Sequence, residues 1–248
     1  MTTNIVKVFH AAAIVVGLFG CGGGGGGTNI TPEKTYALQS MFESYLSTQH
    51  NYTETTSGTL SNSTLSTSGV RSMSAAATTT FENSAALVVT EMRTGITNVA
   101  GQNSNYSSEI KIFYNLSKQR IGRTQKDAPS TTLSNYGAIK NVPVGFPMSA
   151  KVGDVGNLWT MNIYDDASKK TLSAVQVVTW TLKAGVGSAV ALLEISETIT
   201  VPNDPSTAIT LTQYAIDSSN TLAMIKEQIE VKNGSTVVGS FTSNFTGR

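Results

Sequence analysis

Four stretches in the C-terminal half alternate apolar and polar side chains with a period of two. From Leu172 to Lys183 one face reads Leu172, Ala174, Gln176, Val178, Trp180 and Leu182, and the other is mostly Ser, Thr and Val. From Ala189 to Val201 the apolar set is Ala189, Ala191, Leu193, Ile195, Ile199 and Val201, interrupted by Glu197. Ala223, Ile225, Ile229 and Val231 repeat the pattern, as do Val237, Phe241 and Phe245. Such a chain folds as half-buried antiparallel strands, one side on a core and the other in water. Segments 183–187, 202–205, 217–220 and 232–235 are built from turn residues, with Asn233-Gly234 the strongest hairpin signal. The spacing predicts a consecutive meander from about Leu158 to Phe245. Apolar parity flips between Ile209-Leu211 and Tyr214-Ile216, which predicts a bulge or twist near Gln213.

One helix is expected near the start, over about 32–48. Thr31 suits the cap, Pro32 the first helical position and Glu33 the positive end. Leu38, Met41, Phe42, Tyr45 and Leu46 then form an apolar stripe that should end near His50-Asn51. Residues 53–80 are a Ser/Thr/Gly/Ala tract that reads equally as long polar strands or as a mobile loop. Ala85–Ile96, Ile110–Leu116 and Arg120–Lys126 read as strands, and 127–147, with Pro129, Pro143 and Pro147, as a connection between halves. The expected fold class is mainly β: an antiparallel meander sheet, half-barrel or sandwich-like, with one N-terminal amphipathic helix. The helix, first-half strands at 80–127 and a C-terminal meander at 148–246 make a single domain, 32–248.

Charge excludes some partners. Seventeen basic and 16 acidic side chains, only 13% of residues being charged, give no clustered basic footprint for nucleic acid. A single cysteine means no intrachain disulfide, so the core must supply the stability.

That cysteine closes the run Leu18-Phe19-Gly20-Cys21, behind Lys7 and an apolar segment from Val8 to Leu18 that is broken by His10. The segment has the build of a secretory signal and falls short of the about 20 apolar residues of a bilayer span. The tetrapeptide resembles the lipobox of Gram-negative bacterial lipoproteins. The resemblance implies a signal peptide at 1–20 and acylation of Cys21 by a thioether-linked diacylglycerol and an N-acyl chain such as palmitate. The partner through Cys21 is then membrane lipid. Gly22 to Gly27 follows as a flexible part of a tether spanning 21–31, since a phosphate loop would need a strand before it and a helix after. A cysteine followed by Gly22 rather than aspartate implies, by the sorting rule of enteric bacteria, the outer membrane.

Catalytic constellations are thin. His50 is the single histidine after the signal, better read as a helix C-terminal cap than as a base, and there is no Gly-x-Ser-x-Gly elbow. Neither zinc ligand sets nor EF-hand spacing can be built, and Asp154, Asp165 and Asp166 read as turn residues. Glu194 and Glu197 fall on opposite faces of one strand because their separation is odd, so they cannot flank one glycosidic bond. Trp159, Trp180 and Phe42 are the candidates for ligand contact. The run from Lys151 to Leu158, with Tyr214-Ala215-Ile216-Asp217, resembles β-rich bacterial lipoproteins, and the one-faced strands resemble half-barrel lipoprotein carriers. We therefore expect a non-enzymatic outer-membrane lipoprotein without cofactor, holding an apolar or lipid ligand on the concave face of a curved sheet. The alternative is a surface or periplasmic interaction protein, adhesin-like, whose partner is an envelope protein.

Overall fold

The computed structural model describes residues 34–130 and 132–247. Signal peptide, Cys21, tether and the proposed cap at Thr31, Pro32 and Glu33 lie outside the described residues.

Strand β1 (Thr35–Tyr36) leads into helix α1 (Leu38–Leu46). The first half continues with β2 (His50–Leu60), β3 (Ser63–Met73), β4 (Ala77–Phe81), β5 (Ser84–Val99), β6 (Gln102–Tyr114), β7 (Arg120–Asp127) and β8 (Asn135–Ile139). The second half comprises β9 (Ala150–Lys151), β10 (Val155–Tyr164), β11 (Leu172–Ala184), β12 (Ala191–Thr200), β13 (Ser206–Ile216), β14 (Leu222–Asn233) and β15 (Thr236–Thr246). All pairings are antiparallel, and the sheet is neither a half-barrel nor a sandwich. β3 pairs β5 from Leu65↔Val99 to Met73↔Glu91, which joins the two ends of the sheet and closes a twelve-stranded barrel. Closure removes the two free edges that an open sheet would present. β4 lies beyond the seam on β5, where Phe81, Phe113 and Tyr136 stack on the outside of the barrel.

The polar tract at 53–80 is strand rather than loop. Its two faces are both hydrophilic because the wall it forms has water outside and charge inside. Outward positions of β2 are Asn51, Thr53, Thr55, Ser57 and Thr59, and inward ones include Tyr52, Glu54 and Thr56. Its hairpin to β3 turns through Ser61 and Asn62, both at positive φ (47° and 67°), as does the β5–β6 turn at Ala100 and Gly101 (49° and 86°). Those signs at both central residues match the twist of the flanking strands.

Inward glycines make room for large side chains on the neighbouring strand. Tyr106 covers Gly69 and Gly95, which face each other across the closing seam; a Cβ on Gly69 would sit 2.6 Å from the Tyr106 hydroxyl. Trp180 covers its register partner Gly156 in the same way.

α1 is shorter than expected because residues 35–36 pair with β9 instead of opening the helix. Its first turn is held by Gln39 N–H donating to the Pro147 carbonyl at 3.1 Å. The stripe behaves as read from the sequence: Leu38, Met41, Tyr45 and Leu46 are buried and Phe42 is half-buried. They join inward side chains from strands around the circumference, among them Tyr52, Met73, Trp180, Leu193, Tyr214, Met224 and Phe245. The helix therefore stops one mouth of the barrel. His50 donates from Nε2 to the Tyr45 carbonyl at 2.9 Å, the C-terminal cap foreseen for it.

The register slips where the parity of β13 pointed, between Gln213 and Tyr214. The extra residue belongs to the partner, however: Gln213 faces Lys226 and Tyr214 faces Met224, leaving Ile225 of β14 unpaired. β13 itself keeps its parity, so Ile209 and Leu211 face outward.

Candidate functional site

Two features place a cavity inside the wall. The first is a gap. β8 covers only Gly122–Gln125 of β7 and Met161–Tyr164 of β10. Towards the helix end, Arg120 and Ile121 on one side and Leu158 and Trp159 on the other have no strand between them. The segment around Val144–Phe146 lies across this opening.

The second feature is a pair of bulges bordering the gap. Phe113 pairs Gly122 but Tyr114 pairs Arg120, so Ile121 is the extra residue of β7. Asn157 pairs Thr179 but Trp159 pairs Val178, so Leu158 is the extra residue of β10. A bulge re-aims the side chains beside it. Arg120 and Arg123 thus both line the lumen, and Leu158 and Trp159 are both drawn inward.

Beneath α1 lies a cavity of ≈ 90 Å³ in the barrel lumen, lined by Phe42, Arg120, Arg123, Trp159, Glu197 and Thr210, among others. A second space of ≈ 90 Å³ occupies the gap and shares Phe42, Tyr114, Arg120 and Trp159 with the first. Its outer wall is Lys118, Gln119 and the exposed Val144, so it leads inward from the surface. A third, of ≈ 250 Å³, lies between Tyr106, Leu65, Ile229 and Phe241 on the side of the lumen away from the helix.

The lumen holds four arginines of two kinds. Arg71 bonds Glu91 at 2.9 Å and Glu227 at 3.0 Å, and Arg93 contacts the same two carboxylates. Burial alone would lower the pKa of Arg71, but Glu91, Glu227 and Glu54 outweigh it and hold the value well above the usual one. Burial likewise opposes ionisation of Glu91, yet Arg71 and Arg93 pull it down to about 2. This quartet is charge-balanced.

Arg120 and Arg123 are 8% and 5% exposed and make no ion pair among the described residues. Arg123 bonds Gln125 through one terminal nitrogen, and Arg120 lies over the Trp159 ring at 5.1 Å. Both Nε atoms lack a partner, as do Trp159 Nε1 and Thr210 Oγ1. Burial, then the Arg120 charge, lowers the Arg123 pKa to about 10. Glu197 faces the two arginines across the space, held by Gln176, and burial raises its pKa despite them.

Phe42 and Trp159 therefore line the same cavity. Trp180 does not join them: it is buried against Phe146, with ring centroids 6.4 Å apart, and lines none of these spaces. Glu194 and Glu197 do face opposite sides. Glu194 binds Lys183 and Gln213 on the outer wall, while Glu197 points into the lumen. Asp154, Asp165 and Asp166 bond Lys151 N–H, the Ser173 hydroxyl and Ser168 N–H, as turn residues do. Arg120 and Arg123 went unnoticed in the sequence, where an odd separation on a strand puts one of them outside.

No protein-family model, curated protein or solved structure matches the chain.

Proposed function

We propose that the protein is a non-enzymatic lipoprotein, acylated at Cys21 and held at the outer membrane, whose barrel receives a small ligand through the gap between β7 and β10. One observation carries the ligand reading: buried polar groups without partners converge on a space reached from the surface past Lys118, Arg120 and Trp159. Unsatisfied buried donors are costly, and a guest that satisfies them recovers that cost. The engagement of His50 with the Tyr45 carbonyl supports a non-catalytic role. Arginine and glutamate in the lumen favour a polar guest over the acyl chain expected from one-faced strands. The lipobox supports the anchor.

Native mass spectrometry of a Cys21→Ser form purified from the envelope should show a bound small molecule, or one should bind on titration. Failure of both would rule out a binding barrel. Labelled palmitate should enter the wild type and not Cys21→Ser.

A second reading, an envelope interaction module, is favoured by the outward rows of Thr and Ser on β2 and β3. Cross-linking in intact envelopes should then recover one reproducible partner.

A further inference from the structure

We propose that Arg120 and Arg123 form a binding site for a small oxyanion, such as phosphate or a simple carboxylate, which reaches them along a basic path from Lys118 through the gap in the wall. The inference rests on the ligand reading above and names the class of guest.

Three independent observations converge. The first is charge balance. Four arginines and the glutamates 54, 91, 197 and 227 share the lumen, but among the described residues direct ion pairs there join only Arg71 and Arg93 to Glu91 and Glu227. Neither Arg120 nor Arg123 has a carboxylate at ion-pair distance among the described residues; Glu197 and Glu91 act on Arg123 only from across the cavity that all three line. Two buried cations without a directly paired carboxylate are expensive, and an anion bound between them would offset that cost.

The second is donor geometry. Both guanidinia are more than nine-tenths buried with Nε unbonded, and Trp159 Nε1 and Thr210 Oγ1 add an indole and a hydroxyl donor without partners around the same cavity. Guanidinium forks match the paired oxygens of phosphate and carboxylate. The third is access. The gap exists because β8 is short, and its residues run from Lys118 at the rim to Arg120 at the junction of the two cavities and Arg123 deeper in. Lys118 is held there by Glu43 at 3.6 Å. The luminal space, ≈ 90 Å³, has room for several water molecules and so fits a four- or five-atom anion.

The test uses the Cys21→Ser protein, titrated with sodium phosphate and with sodium acetate against sodium chloride at matched ionic strength. Thermal unfolding and Trp fluorescence are read together, because Trp159 lies against Arg120. One or both oxyanions should raise the melting midpoint saturably, by about 5–10 °C at a hundredfold excess over the dissociation constant, and shift the emission. Arg123→Met should abolish both effects. In chloride alone it should melt no lower than its parent, because it removes a buried cation that no carboxylate pairs directly. Glu197→Gln should bind phosphate several-fold more tightly. No response to either oxyanion, equal responses of parent and Arg123→Met, or marked destabilisation of Arg123→Met in chloride would each overturn the site. An apolar molecule found in the native mass spectrum would overturn it too while leaving the ligand reading intact.

Discussion

Arg120 and Arg123 stand three positions apart on one strand, yet both point into the barrel, because the register slips by one residue at Ile121. Without the bulge, alternation would send one of them to solvent. The same separation without a bulge puts Glu194 outside and Glu197 inside. One unpaired residue thus converts a single luminal cation into a pair at the edge of an opening.

The Arg71–Glu227 pair joins residues 156 positions apart at 3.0 Å and ties β3 to β14 across the lumen. Removing one partner strands the other charge in a buried place. Glu227→Gln should cost about 3–5 kcal/mol in urea unfolding, with the slope unchanged. A loss under about 1 kcal/mol would mean that water screens the quartet.

Acid should act on two luminal carboxyls with opposite signs. Glu91 has its folded-state pKa at about 2, below the ordinary 4.5, so its contribution is complete above pH 4.5 and is lost as pH falls towards 2. The span corresponds to about 3 kcal/mol. Glu197 has a raised folded-state pKa, so its folded form gains protons first and stability rises as pH falls through that value. The urea midpoint should climb as Glu197 takes up its proton and drop below pH 4.5 as Glu91 is protonated. Glu197→Gln should lose the climb and keep the drop.

The closing seam should be sensitive to one methyl group. A Cβ on Gly95 would sit 2.3 Å from the Ser68 carbonyl oxygen and 2.9 Å from the Tyr106 ring. Since two of the nearest atoms are backbone, neighbours cannot swing aside. Gly95→Ala should lower stability by about 1–3 kcal/mol and speed amide exchange in β3 and β5 ahead of β11 to β13. Uniform exchange across the barrel would argue against a seam-specific effect.

His50→Ala should fray the last turn of α1. It removes the bond to the Tyr45 carbonyl and the ring stack on Tyr45, whose centroid is 4.0 Å away. A loss of about 1–2 kcal/mol is expected, with faster exchange at Ser47 and Thr48 N–H, which bond carbonyls of the same turn.

The alternation in β11 and β12, the stripe of α1 and the slip opposite Gln213 were legible in the sequence, because each is a local pattern set by one chain segment between core and water; on β14 the bulge at Ile225 turns Leu222 and Met224 inward in place of Ala223 and Ile225, and on β15 Val237 is exposed. Even there, whether the extra residue sat on β13 or on its partner depended on pairing. Closure was not legible. Residues 53–80 carry polar side chains on both faces, so alternation is silent in a wall that has charge inside and water outside. The meeting of Leu65 with Val99 and of Met73 with Glu91 is decided by the curvature of the whole sheet. The luminal site was hidden for the same reason: its arginines come together through a bulge, a short strand and a ring that only the folded barrel completes.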